Sequence, residues 1–158
     1  MSVLGGGVER AGQRRKQNTM IKIIIKNGKA HLGCPKPTQD LKLNTKNRDA
    51  AIKADHIKYG PLNLEDKQYW KDLAAHWNTK EEVAKKSLCG NCAAFDISPR
   101  MLECMPGPTS EPIEDKEGKL GYCWMHSFKC HSARTCYTWA AGGPITKDSI
   151  SHQWQNKS

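Results

Sequence analysis

The chain has 158 residues, a formal net charge of +9, and apolar residues at only 37% of its positions. This length suits one domain of ordinary size or two very small ones. Because the apolar core is limited, we expect a cofactor or disulfides to contribute to the stability of the fold. No apolar run approaches the length of a membrane span, and residues 1–19 lack the apolar stretch of a secretory signal. We therefore expect a cytoplasmic protein with no membrane partner.

The N-terminal part predicts a tail followed by a hairpin. Residues 1–19 are rich in glycine and basic residues and are typical of a disordered basic tail. Residues 20–86 predict a basic segment of one β-hairpin and helices. Its hairpin signal is Asn27-Gly28 between two short apolar runs, a dipeptide that favours a tight turn between strands.

Helices are predicted in the rest of this segment. The polar stretch 33–62 predicts loops with one short helix at 48–58. Apolar side chains recur at steps of three and four in residues 64–77, which predicts an amphipathic helix. These side chains belong to Trp70, Leu73, Ala74 and Trp77. A capping-box pattern from Thr79 to Glu82 predicts a second helix that ends near residue 87.

The charge distribution changes at about residue 87. Lys and Arg outnumber Asp and Glu by 18 to 9 in residues 1–86, whereas residues 87–158 hold seven of each. We place a domain boundary there, followed by a cysteine-rich module at 87–145 and a polar tail at 146–158. Nucleic acid is a possible partner of the basic half. We do not favour it, because the lysines are scattered and lack interleaved aromatic residues.

Six of the seven cysteines lie between Cys89 and Cys136, a density that core packing does not explain. Such a group indicates a soft metal, an iron–sulfur cluster or disulfides. Cys89 and Cys92 share one turn, whereas Cys104 and Cys123 stand singly on separate loops. A structural zinc site normally supplies its second half as another close pair, so this spacing favours a cubane iron–sulfur cluster.

The segments around these cysteines resemble the high-potential iron–sulfur proteins. The matching segments are 89–95 (CGNCAAF), 104–107 (CMPG) and 118–124 (GKLGYCW), about a quarter of the chain. The gap before the third cysteine is short for that family, and the gap before the fourth is long. The resemblance implies a 4Fe–4S cluster in an apolar pocket. The ligands that it implies are Cys89, Cys92, Cys104 and Cys123. The residues that it implies as a shield around the cluster are Phe95, Tyr122 and Trp124.

Two further cysteines lie beyond the last ligand of that family. Cys130 and Cys136 could form a small disulfide loop, remain buried thiols, or replace a loop cysteine as ligand, with Cys136 the first alternative. His126 and His131 also follow cysteines, as imidazole ligands do in Rieske-type centres. Their spacing favours hydrogen-bonded histidines without a metal.

The sequence thus predicts a small, irregular α+β protein, with a hairpin and two helices beside a loop-rich, cysteine-dense module. The expected function is one-electron transfer or redox sensing with an unidentified redox partner. No Ser–His–Asp arrangement or phosphate-binding motif suggests an enzyme. One alternative is a structural zinc module with a basic nucleic-acid-binding half. Another is a cysteine-rich structural protein of a phage assembly, which would be virion-associated.

Overall fold

The computed structural model describes residues 23–26, 29–105, 114–115 and 118–158, with side chains for 33–105 and 118–158. The predicted tail at 1–19, the hairpin turn and the second half of the 104–107 motif lie outside the described residues. The chain divides into two compact units, residues 1–33 and 34–158. The second unit crosses the boundary predicted at residue 87 without a break.

The described residues form helices and antiparallel strands, which confirms a small, irregular α+β protein. The helices are α1 (Lys36–Gln39), α2 (Leu41–Lys53), α3 (Lys67–His76), α4 (Glu81–Ala84), α5 (Pro99–Cys104) and α6 (Asp148–Lys157). The strands are β1 (Ile23–Lys26), β2 (Lys29–Leu32), β3 (Phe95–Asp96), β4 (Glu114–Asp115), β5 (Gly118–Cys123) and β6 (Phe128–His131). None of these helices is long and apolar enough to cross a membrane.

The predicted hairpin is present in the first unit. Strands β1 and β2 pair antiparallel, with Ile23 opposite Leu32 and Lys26 opposite Lys29. A two-residue connection between these strands is what the Asn-Gly dipeptide predicts.

Helix α2 occupies a stretch in which the sequence predicts loops and a shorter, later helix. Asp40 starts it early, because its carboxylate accepts a hydrogen bond from the backbone N–H of Leu43 at 3.1 Å. The helix docks through a polar side chain: buried Asn44 accepts a bond from the Lys129 backbone N–H of β6 at 2.7 Å. A search for apolar periodicity misses a helix that is anchored in this way.

Helix α3 confirms the amphipathic pattern. Trp70, Leu73 and Ala74 are buried together, and the helix begins at Lys67 because the Asp66 carboxylate caps it. The capping box expected at the next helix does not form. Helix α4 spans a single turn, and no side-chain hydrogen bond caps it.

Strand β5 is the centre of the sheet in the second unit. Its last residues pair with β3 on one side and β6 on the other, so Cys123 lies between Phe95 and Phe128. Strand β4 pairs with the start of β5. This arrangement brings the Cys-x2-Cys region, the end of β5 and β6 to one part of the core.

The C-terminal segment, predicted as a polar tail, forms helix α6 and docks on a buried polar group. Asp96 accepts hydrogen bonds from Ser151 of α6 and from the Trp124 indole N–H, the latter at 2.8 Å. Arg100 donates to the same Ser151 hydroxyl at 2.8 Å. Because these contacts are polar, the sequence of α6 shows no strong apolar stripe, and a helix is hard to predict from it.

Candidate functional site

Five reduced cysteines converge in the core of the second unit. Four are buried in one cluster and the fifth, Cys123, packs against it. The four buried members are Cys89, Cys92, Cys130 and Cys136. Thiols from a turn, two strands and a loop therefore share one apolar space, and we call them the thiol core.

The Cys-x2-Cys segment forms a tight turn, as its sequence predicts. Residues Cys89–Asn91 make one 3-10 turn, closed by a bond from the Cys92 N–H to the Cys89 carbonyl at 2.9 Å. The backbone of Gly143 packs directly on this turn: a Cβ there would lie 1.7 Å from the Cys92 carbonyl oxygen. Only glycine fits at that position, so the turn is enclosed by the loop that follows Cys136.

Cys130 occupies the middle of the thiol core. Its side chain hydrogen-bonds to the sulfurs of Cys123 and Cys89. Burial, and then these bonds, raise the pKa of the Cys130 thiol well above its ordinary value. The bond from Cys130 lowers the pKa of Cys123, and the backbone N–H groups of His126 and Met125 lower it further against the effect of burial.

Backbone N–H groups are directed at three of the five sulfurs. Cys92 accepts from Ala94 and Ala140, Cys123 from Met125 and His126, and Cys136 from Thr138. The Thr138 hydroxyl also lies 3.1 Å from the Cys136 sulfur. Hydrogen bonds of this kind stabilise thiolate charge, as occurs around cysteine ligands of metals. Burial outweighs them in the free thiols, so the pKa of Cys92 is raised and that of Cys136 is raised to about 12.

Cys104, an expected ligand, is placed elsewhere. It forms a disulfide with Cys34, with an S–S distance of 2.12 Å and a Cα–Cα distance of 5.5 Å. It is buried in a second apolar cluster with Met101 and Met105, which we call the disulfide core. A sulfur in a disulfide has no thiolate to offer, so the structure does not bring Cys104 to the other three predicted ligands.

The three predicted shielding residues separate in the same way. Phe95 belongs to the thiol core, and its ring fills the space above Gly121, where a Cβ would lie 2.4 Å from it. Tyr122 and Trp124 lie in the disulfide core, with ring centroids 4.9 Å apart. Successive residues of a strand face opposite sides, so Tyr122 cannot share the face of Cys123.

Other aromatic residues line the thiol core. Phe128 is fully buried there, and the Tyr59 ring meets it edge-on at 4.8 Å. The Tyr59 hydroxyl accepts a bond from the His131 backbone N–H at 3.0 Å. Phe128 belongs to the aromatic residues interleaved with the cysteines, whereas Tyr59 lies far upstream and carries no sequence signal.

The two histidines beside the cysteines are both hydrogen-bonded. His131 Nδ1 accepts from the Ala133 N–H at 3.0 Å. His126 Nε2 lies 2.7 Å from the Thr138 hydroxyl, and burial followed by His56 lowers the pKa of its imidazole.

Among the residues that the structure describes, no three His, Cys, Asp or Glu side chains are arranged so that they could hold a metal ion. The donor chemistry nevertheless fits a soft-metal cofactor, since several thiols and directed N–H groups share a buried cluster with aromatic rings. Binding such a group would require the sulfurs to rotate into a ligating arrangement.

No family model, curated protein or solved structure matches the chain. The likeness to high-potential iron–sulfur proteins rests on the cysteine segments alone.

Proposed function

We propose that this protein is an iron–sulfur protein that transfers single electrons or senses redox state, and that its cofactor is a 4Fe–4S cluster in the thiol core. The observation that carries the proposal is the convergence of five reduced cysteines from separate segments, three of whose sulfurs accept backbone N–H bonds. The potential of such clusters depends on hydrogen bonds to sulfur and on solvent exclusion.

The proposed ligands are Cys89, Cys92, Cys123 and Cys136. Cys136 takes the place of Cys104, which is bound to Cys34. We prefer Cys136 to Cys130 because the Cys136 sulfur accepts a hydrogen bond from the Thr138 backbone N–H, as a thiolate would. Burial, and then hydrogen bonds to Cys123 and Cys89, raise the pKa of the Cys130 thiol well above its ordinary value, which disfavours a thiolate there.

The residues around the ligands would keep water out and hold the sulfurs in place. Phe95, Phe128 and Tyr59 wall the core, and close packing of Gly143 on the Cys92 carbonyl fixes the ligand turn. When bound, the cluster would supply reversible one-electron chemistry. Zinc bound to the same thiols is the competing cofactor.

The disulfide favours a second candidate function. A covalent bond between Cys34 and Cys104 supports a structural protein whose small core is reinforced by cross-linking, such as a component of a phage assembly. The remaining thiols would then be core side chains or zinc ligands. Both candidates use the same fold, so cofactor content separates them.

The test is anaerobic reconstitution with iron and sulfide, followed by metal analysis and visible absorption. We expect a brown protein with about four irons and four sulfides per chain, and an absorption band near the visible–ultraviolet border. A colourless protein with one zinc per chain would refute the iron–sulfur proposal and support a zinc module. A protein with neither metal would support the structural candidate.

A further inference from the structure

An open groove lies on the second unit where four segments of the chain meet. Its volume is about 530 Å³, which falls within the range of small-molecule sites. The segment before α3 contributes Leu64, α3 contributes Trp70, the segment after α4 contributes Leu88, and the loop after β6 contributes Ala133. We call it the α3 groove. Its apolar wall favours a ligand with an apolar body.

The Trp70 indole is a buried polar group that faces this groove. The side chain is only 7% exposed and packs with Leu73, Ala74 and Ala84. The indole N–H has no hydrogen-bond partner among the residues that the structure describes. Its nitrogen is not one of the unpaired atoms that are completely enclosed, so it reaches the groove that Trp70 lines.

The indole N–H groups of other tryptophans are engaged within the protein. Trp124 donates to the Asp96 carboxylate at 2.8 Å, and Trp139 donates to the Leu88 carbonyl at 2.9 Å. A buried indole N–H normally has such a partner, because an unpaired one costs free energy. The acceptor for the Trp70 N–H must come from outside the chain, from water or from a ligand.

Three charged side chains complete the lining of the groove, namely Lys67, Lys85 and Glu65. All three are exposed, and neither lysine forms an ion pair with an acidic group in the described part of the chain. The neighbouring Asp66 does not line the groove, and its carboxylate accepts from the first N–H groups of α3 at 3.1 and 3.2 Å. The two glutamates that begin α4 do not line it either. The lining therefore presents two cations and one anion.

We propose that the α3 groove binds a small carboxylic acid with an apolar body, whose carboxylate accepts from the Trp70 indole and faces the two lysines. Indole and ammonium groups are donors only, so together they select a negatively charged acceptor. The apolar wall disfavours inorganic anions, which have no apolar surface to bury. Glu65 opposes the charge of such a ligand, so the sign of its effect on affinity is itself a test.

The proposal is tested by NMR titration of the isotope-labelled full chain without cofactor, with phenylpropionate as the probe. Each tryptophan gives one indole N–H signal, and Trp70→Phe assigns the signal of Trp70. We expect this signal to move as its N–H gains a charged acceptor. The signal of Trp124, whose N–H is already paired in the disulfide core, should stay in place.

Two related probes separate the contributions of charge and apolar body. Phenylpropanamide keeps the ring and removes the charge, whereas acetate keeps the charge and removes the ring. We expect each to bind at least about 5-fold more weakly than phenylpropionate, because one loses a charge-assisted hydrogen bond and the other loses apolar burial.

Matched variants test the charged rim. Lys67→Gln and Lys85→Gln should each weaken phenylpropionate binding by about 2- to 5-fold, the effect of one exposed charge pair. Glu65→Gln should strengthen it by a similar factor, because a like charge is removed. Lys71→Gln, on the same helix but outside the groove, should leave affinity unchanged at about 150 mM salt, where distant charges are screened. Because these four positions are exposed, their variants keep the test decisive even where Trp70→Phe fails to fold.

Two results would overturn the proposal. One is equal affinity for phenylpropionate and its amide, with no effect of the three charge variants in the groove. The other is a Trp70 indole signal that stays in place up to about 20 mM phenylpropionate, above the millimolar affinity expected of so small a probe. The titration uses no metal, so its outcome is independent of the proposed iron–sulfur function.

Discussion

The second unit contains two neighbouring cores with cysteine sulfur, which is reduced in one core and disulfide-bonded in the other. In the thiol core, five cysteines remain reduced, and backbone N–H groups donate to the sulfurs of three of them. In the disulfide core, Cys104 is bound covalently to Cys34 among methionine and aromatic side chains. The two cores meet at β3, where Phe95 faces the first and Asp96 anchors the residues around the second.

This difference shows that spacing along the chain does not determine which sulfurs act together. Cys104 lies between Cys92 and Cys123 in sequence, yet its partner is 70 positions away. Conversely, Cys136 lies beyond the expected motif and joins its cysteines in space. A core that keeps thiols free and supplies N–H donors suits a thiolate-ligated cofactor, whereas a disulfide suits cross-linking.

The largest expected effect is on cofactor loading. Cys92→Ser and Cys123→Ser should each lose most of the colour of the reconstituted protein, because a cluster with one weak ligand opens to solvent. The double variant Cys34→Ser, Cys104→Ser should keep its colour, since both residues belong to the disulfide core. Visible absorption and iron content measure both outcomes.

The identity of the fourth ligand tests most directly whether the two cores have different roles. We expect Cys136→Ser to lose the cluster and Cys130→Ser to keep it. If Cys104→Ser loses the cluster while Cys136→Ser keeps it, the loaded protein uses the ligand set implied by the family resemblance. The Cys34–Cys104 pair would then have to open before loading.

Local patterns predicted the parts of the fold that local forces determine. The spacing of Trp70, Leu73 and Trp77 is enough to predict α3, and alternation around a turn dipeptide is enough to predict the hairpin. Helix α2 was predicted only in part, at 48–58, and helix α6 was not predicted, because buried polar contacts through Asn44 and Ser151 dock them. Such contacts leave no apolar periodicity in the sequence.

The candidate site was predicted in part for a similar reason. The Cys89–Cys92 turn is a local feature, and its sequence predicts it. Strand register determines the face on which Tyr122 lies. Long-range packing places Tyr59 in the thiol core. One residue of register decides which core a strand side chain enters, and the motif contains no information about it.

The second largest effect concerns the disulfide. Replacing Cys34 and Cys104 with alanine should lower the free energy of unfolding by about 4 kcal/mol, the chain-entropy cost of a loop of this length. Urea denaturation measures the loss. Adding a reductant to the native protein should produce most of the same loss, and should produce none in the double variant. Equal stability of the two proteins without reductant would mean that the bond is not formed in solution.

The third effect is on the pH dependence of the free energy of unfolding, which should differ between the loaded and the unloaded protein. Burial raises the pKa of Cys92 and Cys130, and raises that of Cys136 to about 12. Thiols with a raised pKa stabilise the folded state below the unfolded pKa of about 8.5, and this contribution is lost as pH rises. The unloaded protein should therefore lose roughly 1.4 kcal/mol per pH unit per thiol between that value and the folded pKa of the thiol, which is about 12 for Cys136.

Loading should remove the part of this dependence that comes from the ligands. Thiolate ligands have already released their protons, so only Cys130, which is not a proposed ligand, should still make the stability of the loaded protein depend on pH over the same window. Urea denaturation at two alkaline pH values, with and without cofactor, gives the comparison. Cys136→Ala should reduce the slope of the unloaded protein. An unchanged slope in that variant would show that Cys136 does not carry the effect.

The smallest effect concerns the polar contacts that attach α6 near the disulfide core. Ser151 is fully buried, donates to Asp96 and accepts from Arg100 at 2.8 Å. Ser151→Ala removes a partner from two buried charged groups, and we expect a loss of about 1–3 kcal/mol. Ser149→Ala, at an exposed position of the same helix, should change stability by less than about 0.5 kcal/mol.

The same variant tests whether the two cores act independently. Asp96 follows Phe95 in β3, so a shift of Asp96 would be transmitted to the aromatic wall of the thiol core. If the backbone of β3 is fixed by its pairing with β5, Ser151→Ala should lower the melting temperature yet leave the cluster absorption unchanged. Loss of colour in a folded Ser151→Ala protein would show instead that α6 docking organises the thiol core. The C-terminal helix would then be required for cofactor binding as well as for stability.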